Sequence, residues 1–241
     1  MREYLMFRIY GPMASWGDIA VGEYRPSFAH PSKSAVMGIL AAAVGLRREE
    51  EDKQRQVAGS YGFAVQVHAA GTLLRDYHTI QAPPKQRGVK HAARRSELLA
   101  PKLNTILSSR DYRCDAFYTV AIWDFVEHPP YSLAELALSL ACPVFTLYLG
   151  RKSCPPALPM QARTIKVENL KQAFLNVDFS DKDIPPGLPE SGHIATYWEG
   201  SDSGFESEHV IIRRDNSTSR RRWQFADREE RYAGVAPGKE G

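Results

Sequence analysis

Residues 31 to 46 read PSKSAVMGILAAAVGL, and the architecture of the chain is decided by this run and what flanks it. Val36, Ile39, Leu40 and Ala43 recur at the spacing of one helical face. Ser32 stands where an N-cap belongs, and Gly45 stands where such a helix stops. Its small residues, Gly38 and Ala41 to Ala43, suit close packing on a sheet.

Strand patterns lie on either side. In YLMFRIYG, residues 4 to 11, Leu5, Phe7 and Ile9 alternate with Tyr4, Met6, Arg8 and Tyr10, the period of a half-buried strand. A Gly-Pro turn and a polar stretch with Trp16 and Arg25 lead to the helix. After it, REEEDKQRQ is balanced in sign and reads as a solvated helical extension or loop. Phe63, Val65 and Val67 then alternate as a second strand, completing βαβ.

Farther on, FYTVAIWDF, residues 117 to 125, reads as a third strand. Ser132 and Glu135 have capping-box spacing ahead of Leu133, Leu136, Ala137 and Leu140, with Pro143 closing that helix. VFTLYLG, residues 144 to 150, is expected as the fourth strand. Residues 1 to 154 therefore predict an α+β, ferredoxin-like βαββαβ domain, with a basic thumb inserted at about 80 to 110 between strands 2 and 3. Residues 155 to 241 predict a smaller, irregular, β-rich lobe. It holds a short helix near Asn169 to Val177, Pro/Gly-rich linkers at 184 to 192, strands at Ile194 to Trp198 and His209 to Arg214, and a tail after Gly234 expected to lack order.

With 241 residues, 43% hydrophobic and 24% charged, the chain has the composition of an ordinary globular protein. A net charge of +3 does not itself mark a nucleic-acid binder, so any electrostatic case depends on where the charge lies. Two stretches concentrate it: Arg75 to Arg113, with nine Lys/Arg against Asp76, Glu97 and Asp111, and residues 213 to 225, with five arginines against Asp215. Cys114, Cys142 and Cys154 form no CxxC pair and no zinc-like spacing; they read as reduced core thiols in a cytoplasmic protein, with no metal and no cofactor expected. The opening MREYLMFRIYG, broken by Arg8, reads as neither a signal peptide nor a membrane span.

Lys85, Arg87, Lys90, Arg94 and Arg95 lie in a proline-broken segment too long for an ordinary turn, and suit a run along a phosphate backbone. Arg110 and Tyr112 sit beside it, where a planar ring and a cation suit stacking and phosphate contact. Gly150 directly precedes Arg151, Lys152 and Ser153, a weak phosphate-cradle pattern. For metal-free RNA cleavage, Tyr77, His78, Lys90 and His91 have the right chemical types. Solvated-loop and structural readings of all these residues stay open. A P-loop, a G-x-S-x-G elbow, an H-E-x-x-H pair and the RNP aromatic signature are all absent.

Taken together, GPMASWG (11–17), RPSFAHPSKSAVMGILAAAVGL (25–46), LRDYHT (74–79), CDAFYTVAIW (114–123), YLGRKSCP (148–155) and QFADREE (224–230) resemble the fifth CRISPR-associated (Cas) family, in its type I-E branch. The resemblance implies a RAMP-type, ferredoxin-like, RNA-binding subunit without catalytic residues, working in the Cascade surveillance complex. Such a subunit binds the 5′ handle of the CRISPR RNA, caps the backbone subunits and contacts the large PAM-recognising subunit; target DNA is met only indirectly, and no membrane is involved. It also implies handle contacts at Tyr148, Gly150, Arg151, Lys152 and Ser153, with Arg110 and Tyr112 nearby. Arg75, Tyr77 and His78 would lie at the thumb base, and Lys33 and Ser34 would meet a phosphate at the start of the helix. A sister branch, type I-C, uses its own member as a processing nuclease with Tyr, His and Lys. The adjacent Lys90 and His91, in a thumb longer and more basic than the type I-E pattern, keep that alternative open. A third reading is an assembly adaptor whose basic surfaces meet acidic protein and which assembles without RNA.

Overall fold

Residues 1–85, 88–179, 194–201 and 203–234 are described by a computed structural model. Arg87, the linkers at 184–192 and the tail after Gly234 lie outside the described residues. Helix α1 (Lys33–Ala43) starts as its sequence demands: the Ser32 hydroxyl accepts from the Ala35 amide, and Gly45 follows the last turn in the left-handed region, φ +83°. Strands β1 (Arg2–Ala14), β3 (Tyr61–Ala69) and β5 (Asn104–Asp124) surround it in sequence, with β2 (Tyr24–Arg25) and β4 (Thr72–Ala82) between them. The run read as a helical extension is α2 (Glu51–Ser60).

All strands of the described residues join one sheet, ordered β6-β1-β5-β3-β7-β9-β8, with β2 and β4 paired to the outer half of β5. Here β6 is Arg163–Val167, β7 Ala195–Trp198, β8 His209–Ser219 and β9 Gln224–Gly234. Every pairing is antiparallel except that of β2 with β5. The main core lies on the face covered by α1 and α4 (Leu133–Ala141), where Leu5, Phe7, Ile9, Val65, Val120 and Leu136 meet. Ser132 and Glu135 form the expected capping box. A second core of Tyr4, Met6, Trp123, Trp198 and Phe174 lies under α5 (Leu170–Asn176), which Asn169 caps.

That second core corrects the half-buried reading of β1. Tyr4, Met6, Arg8 and Tyr10 are buried too, because α5 and the segment before β6 cover the other face. Arg8 donates from Nε to the Pro159 carbonyl at 3.0 Å, which lets its stem lie inside. The thiol expectation is corrected as well: Cys154 is buried, but Cys142 is exposed at the C-cap of α4.

The expected fourth strand at 144–150 does not form. Its amides bond elsewhere: Val144 and Phe145 donate to the last carbonyls of α1, Ala43 and Ala42, at 2.9 and 3.1 Å, and Leu149 donates to Cys154. Orphan helix carbonyls thereby gain partners, and the edge place beside β1 falls to β6.

The thumb expected at about 80 to 110 is a longer β-hairpin that begins at Thr72. β4 pairs with β5 from Thr72↔Cys114 to Ala82↔Asn104, and the loop 83–103 at its end contains a short helix, α3 (Arg94–Leu98). The hairpin leaves the body at Gly71, φ +69°, where an added Cβ would lie 2.4 Å from the Cys114 carbonyl, and opposite Asp115, φ +57°. β5 is thus one 21-residue strand whose inner half pairs with β1 and β3 and whose outer half carries the thumb. Apolar residues run almost unbroken through the inner half, which is buried on both faces, and thin out in the outer half, which has solvent around it.

Candidate nucleic-acid interface

A groove of about 1300 Å³ opens beside α1. It is walled by the segment between β1 and α1, the exposed side of α1 with residues 46–49, the 145–151 loop, and β8 and β9 with their turn. Local structure holds these walls together. Ser15 donates from its amide to the Leu149 carbonyl at 3.0 Å and from its hydroxyl to the Asp111 carbonyl at 3.0 Å. Gly150, φ +86°, sits so close that an added Cβ would lie 1.8 Å from the Ser15 carbonyl oxygen. Trp16 is fully buried, donating Nε1 to the Tyr118 hydroxyl at 3.1 Å.

Arg25, Arg47, Arg48, Arg151, Arg214 and Arg220 line the groove, and among the described residues none of them forms an ion pair. Their guanidinium bonds go to neutral carbonyls: Arg25 to Gly22 at 2.6 Å, Arg151 to Asp111 at 3.4 Å, Arg214 to Phe225 at 3.3 Å, Arg220 to Ser34. Burial, with Arg48 close by, pushes the Arg220 guanidinium below its ordinary value. Two like charges side by side without a carboxylate favour an incoming anion. Asp18, Glu49, Asp215 and Asp227 share the lining, so the groove stays positive without being uniformly so.

The paired cations sit on and under the floor of the groove, which Arg213 and Asp215 also line. Beneath the groove, Arg228 donates to Asp215 at 2.6 and 2.9 Å and to Glu230 at 2.9 Å, and Arg213 lies 3.2 Å from Glu230. Lys33 Nζ lies 2.9 Å from Glu199, and its amide donates to Asp215 at 2.9 Å. Burial opposes the Asp215 charge, yet Arg228 and Arg213 hold its carboxyl below the usual range; burial wins at Glu230 and pushes it up. His30 accepts from Arg213 at Nε2, 3.0 Å, and places Nδ1 3.1 Å from the Pro31 carbonyl, an arrangement that fits a neutral ring; burial lowers its pKa well below 6.5. This cluster ties α1 to β7, β8 and β9.

The expected site residues therefore separate into groups. Ser34, Tyr148, Gly150 and Arg151 come together on the groove, and Lys152 and Ser153 continue its rim, exposed. Lys33 does not join them: its ammonium is buried against Glu199, and a carboxylate of this chain already occupies the helix start. At the thumb base Arg75 donates to both oxygens of Asp111, at 2.8 and 3.2 Å, and to the Tyr24 hydroxyl at 2.7 Å. That hydrogen bond holds the Asp111 carboxyl below its usual value. Tyr112 is buried with Arg151 stacked 4.6 Å from its ring centroid, and Arg110 is half-buried beside it.

Lys85, Lys90, His91, Arg94 and Arg95 lie at the far end of the hairpin, exposed, roughly 25 Å of strand beyond Asp111. Arg94 there engages Glu97 and the Gln81 carbonyl. The four nuclease candidates do not converge. His78 bonds Asp76 at 2.9 Å on one face of β4, Tyr77 projects from the other, 63% exposed, and Lys90 and His91 lie past the last strand pair. Among the described residues no three His, Cys, Asp or Glu side chains gather to hold a metal, and no helix is long and apolar enough to cross a membrane.

Arg48, Arg220 and Trp223 carry groove surface that site-by-site reading of the sequence passes over. The five arginines of 213–225 signal Arg220 collectively, whereas Arg48 is masked by the acidic residues that follow it.

Comparison with known proteins identifies the family and the fold. The family model described as CRISPR-associated protein (Cas_Cas5) matches residues 4–231. The CRISPR system Cascade subunit CasD of Escherichia coli (strain K12) is 33% identical over 202 residues, covering 80% of this chain and 85% of that protein. A chain of a solved CRISPR RNA-guided surveillance complex superposes with a TM-score of 0.65 at 27% identity, over 96% of this chain and 90% of that one. A solved structure titled as that of a Cas protein shares the fold, with a TM-score of 0.58 at 24% identity over 96% and 94% of the two chains.

Proposed function

The chain belongs to the CRISPR-associated Cas5 family, and from that membership we propose that it is the RNA-gripping subunit of a type I-E Cascade complex, working in the cytoplasm. It holds the 5′ handle of the CRISPR RNA in the groove beside α1, while the thumb and sheet edges seat the backbone subunits and the large subunit. In this reading β6-β1-β5-β3 with α1 and α4 corresponds to a ferredoxin-like plan whose fourth strand lies past residue 154, and β7, β9 and β8 extend the sheet so that β8 and β9 complete the groove.

One observation carries the proposal: six of the seven arginines that line a single groove have no carboxylate partner among the described residues, while Arg213 on its floor and Arg228 beneath it are matched by acids. A polyanion is the complement of such a surface, and a groove with Tyr148 and Trp223 among the cations suits a single strand. Holding is favoured over cutting because cleavage needs base, acid and cation within a fraction of an ångström of their working positions, whereas Tyr77 and His78 face opposite ways.

The test incubates the full chain with end-labelled RNA carrying the CRISPR repeat, without metal, and reads a gel shift and a denaturing gel. A shifted, uncut 5′-handle fragment supports the reading. No shift, or a single cut lost in His78→Ala or His91→Ala, contradicts it; the latter restores the nuclease alternative. Association with purified partner subunits that survives removal of RNA, with no shift of the handle, would favour the adaptor reading.

A further inference from the structure

We infer that Trp223, backed by Arg48, is a stacking seat for one unpaired nucleobase of the RNA that the groove holds. This rests on the RNA-binding reading of the groove and adds to it a particular contact, at the turn of the β8–β9 hairpin.

Three observations converge. First, Trp16, Trp123 and Trp198 are each at most 3% exposed, whereas Trp223 is 57% exposed on the groove wall. Among the described residues only Arg48 and the Phe225 ring, 6.5 Å away, pack against it, so no core contact accounts for an indole left largely in water. Second, the backbone at Trp223 is in the left-handed region, φ +53°. For a bulky side chain that conformation costs free energy and persists only where the surroundings impose it, as they do at ligand-binding positions. The turn between β8 and β9 thus presents the ring at a cost to the turn itself. Third, the Arg48 guanidinium stands 4.8 Å from the ring centroid and makes no ion pair among the described residues. It orders the ring and leaves its positive charge available.

An aromatic face with unpaired cations around it is the combination that binds single-stranded nucleic acid, because every base has a π-face and every linkage a charge. Arg220 opens the same turn and bonds back to the Ser34 carbonyl. Gly38 leaves it room, an added Cβ there lying 3.2 Å from the guanidinium. Base and phosphate sites are thereby adjacent. Ile211 and Ile212 are also exposed near the groove. They offer area to a protein neighbour, but nothing that needs a flat π-face and unpaired arginines together.

The test uses the full chain and an end-labelled 5′-handle oligoribonucleotide, followed in parallel by anisotropy for binding and by tryptophan fluorescence for stacking. Only Trp223 is open to a base, so quenching that saturates together with anisotropy is expected. Trp223→Phe should keep most of the affinity and lose the quenching. Trp223→Ala should weaken binding about 5- to 150-fold. One abasic position in the oligonucleotide should abolish quenching, and its effect should not add to that of Trp223→Ala. Binding without quenching, with unchanged affinity in Trp223→Ala, overturns the stacking seat while leaving the groove an RNA site. Trp223→Ala that binds RNA normally but loses a purified partner subunit overturns it in favour of protein docking. Absence of RNA binding by anisotropy overturns both.

Discussion

Lys33 and Glu199 face each other where α1 meets the end of β7, Nζ to Oε2 at 2.9 Å, with both side chains less than a tenth exposed. Glu199 also accepts from the Phe63 amide at 3.2 Å, so one carboxylate joins α1, β3 and the end of β7. A buried pair adds little over an apolar one, but a lone buried charge is costly. Glu199→Gln is therefore expected to lower the unfolding free energy by about 3 to 5 kcal/mol in urea denaturation. Combining Lys33→Met with Glu199→Leu should recover only part of it, because the Phe63 amide and Arg228, 3.5 Å from the other carboxylate oxygen, still lose a partner. Neither change should alter the RNA affinity of the folded protein by more than a small factor.

A pH dependence follows from His30. Its ring is neutral when folded because burial lowers its pKa well below 6.5, so below pH 6.5 the unfolded chain binds the proton that the folded one refuses. Stability is complete above pH 6.5 and declines as pH falls toward the folded value, by up to about 1.4 kcal/mol per unit. Glu230, raised by burial, works in the opposite direction. The readout is thus the difference between the protein and His30→Asn: denaturation midpoints measured from pH 7 to 5 should fall more steeply with His30 present. Parallel profiles would contradict the assignment.

Gly150→Ala tests the joint between the 145–151 loop and Ser15. The left-handed backbone costs an alanine about 1 to 2 kcal/mol, and its Cβ would meet the Ser15 carbonyl oxygen at 1.8 Å. Thermal unfolding should move down by several degrees, and RNA affinity should drop because Arg151 shifts with the loop.

Much of this was legible beforehand because it is local. Ser32 with the Val36/Ile39/Leu40 spacing, the Ser132–Glu135 box and the alternation of Phe63, Val65 and Val67 each act over a few residues, and each forms as read. VFTLYLG misleads because its pattern suits a strand, while the end of α1 offers its amides carbonyls to bond. Lys33 misleads in the same way: it carries a phosphate-binding charge in sequence and a salt bridge in space. The groove was half legible, at Ser34, Tyr148, Gly150 and Arg151, because those residues stand in recognisable motifs. Its other wall, Arg48 with Arg220 and Trp223, comes from segments about 170 residues apart, and no local period reports such a meeting.

Arg151→Ala separates phosphate contact from base reading. It should weaken binding of unrelated single-stranded sequences by similar factors and make the slope of log affinity against log salt shallower by about 0.7. A sequence-selective loss would assign Arg151 to base recognition instead.

The central claim is that unpaired groove arginines hold the RNA, and the most direct measurement is the salt dependence of handle binding by the full chain. If the six arginines meet phosphates, the slope of log affinity against log salt is expected near about −4, becoming shallower as groove arginines are replaced. A slope near zero, or one unchanged by those replacements, would contradict the account.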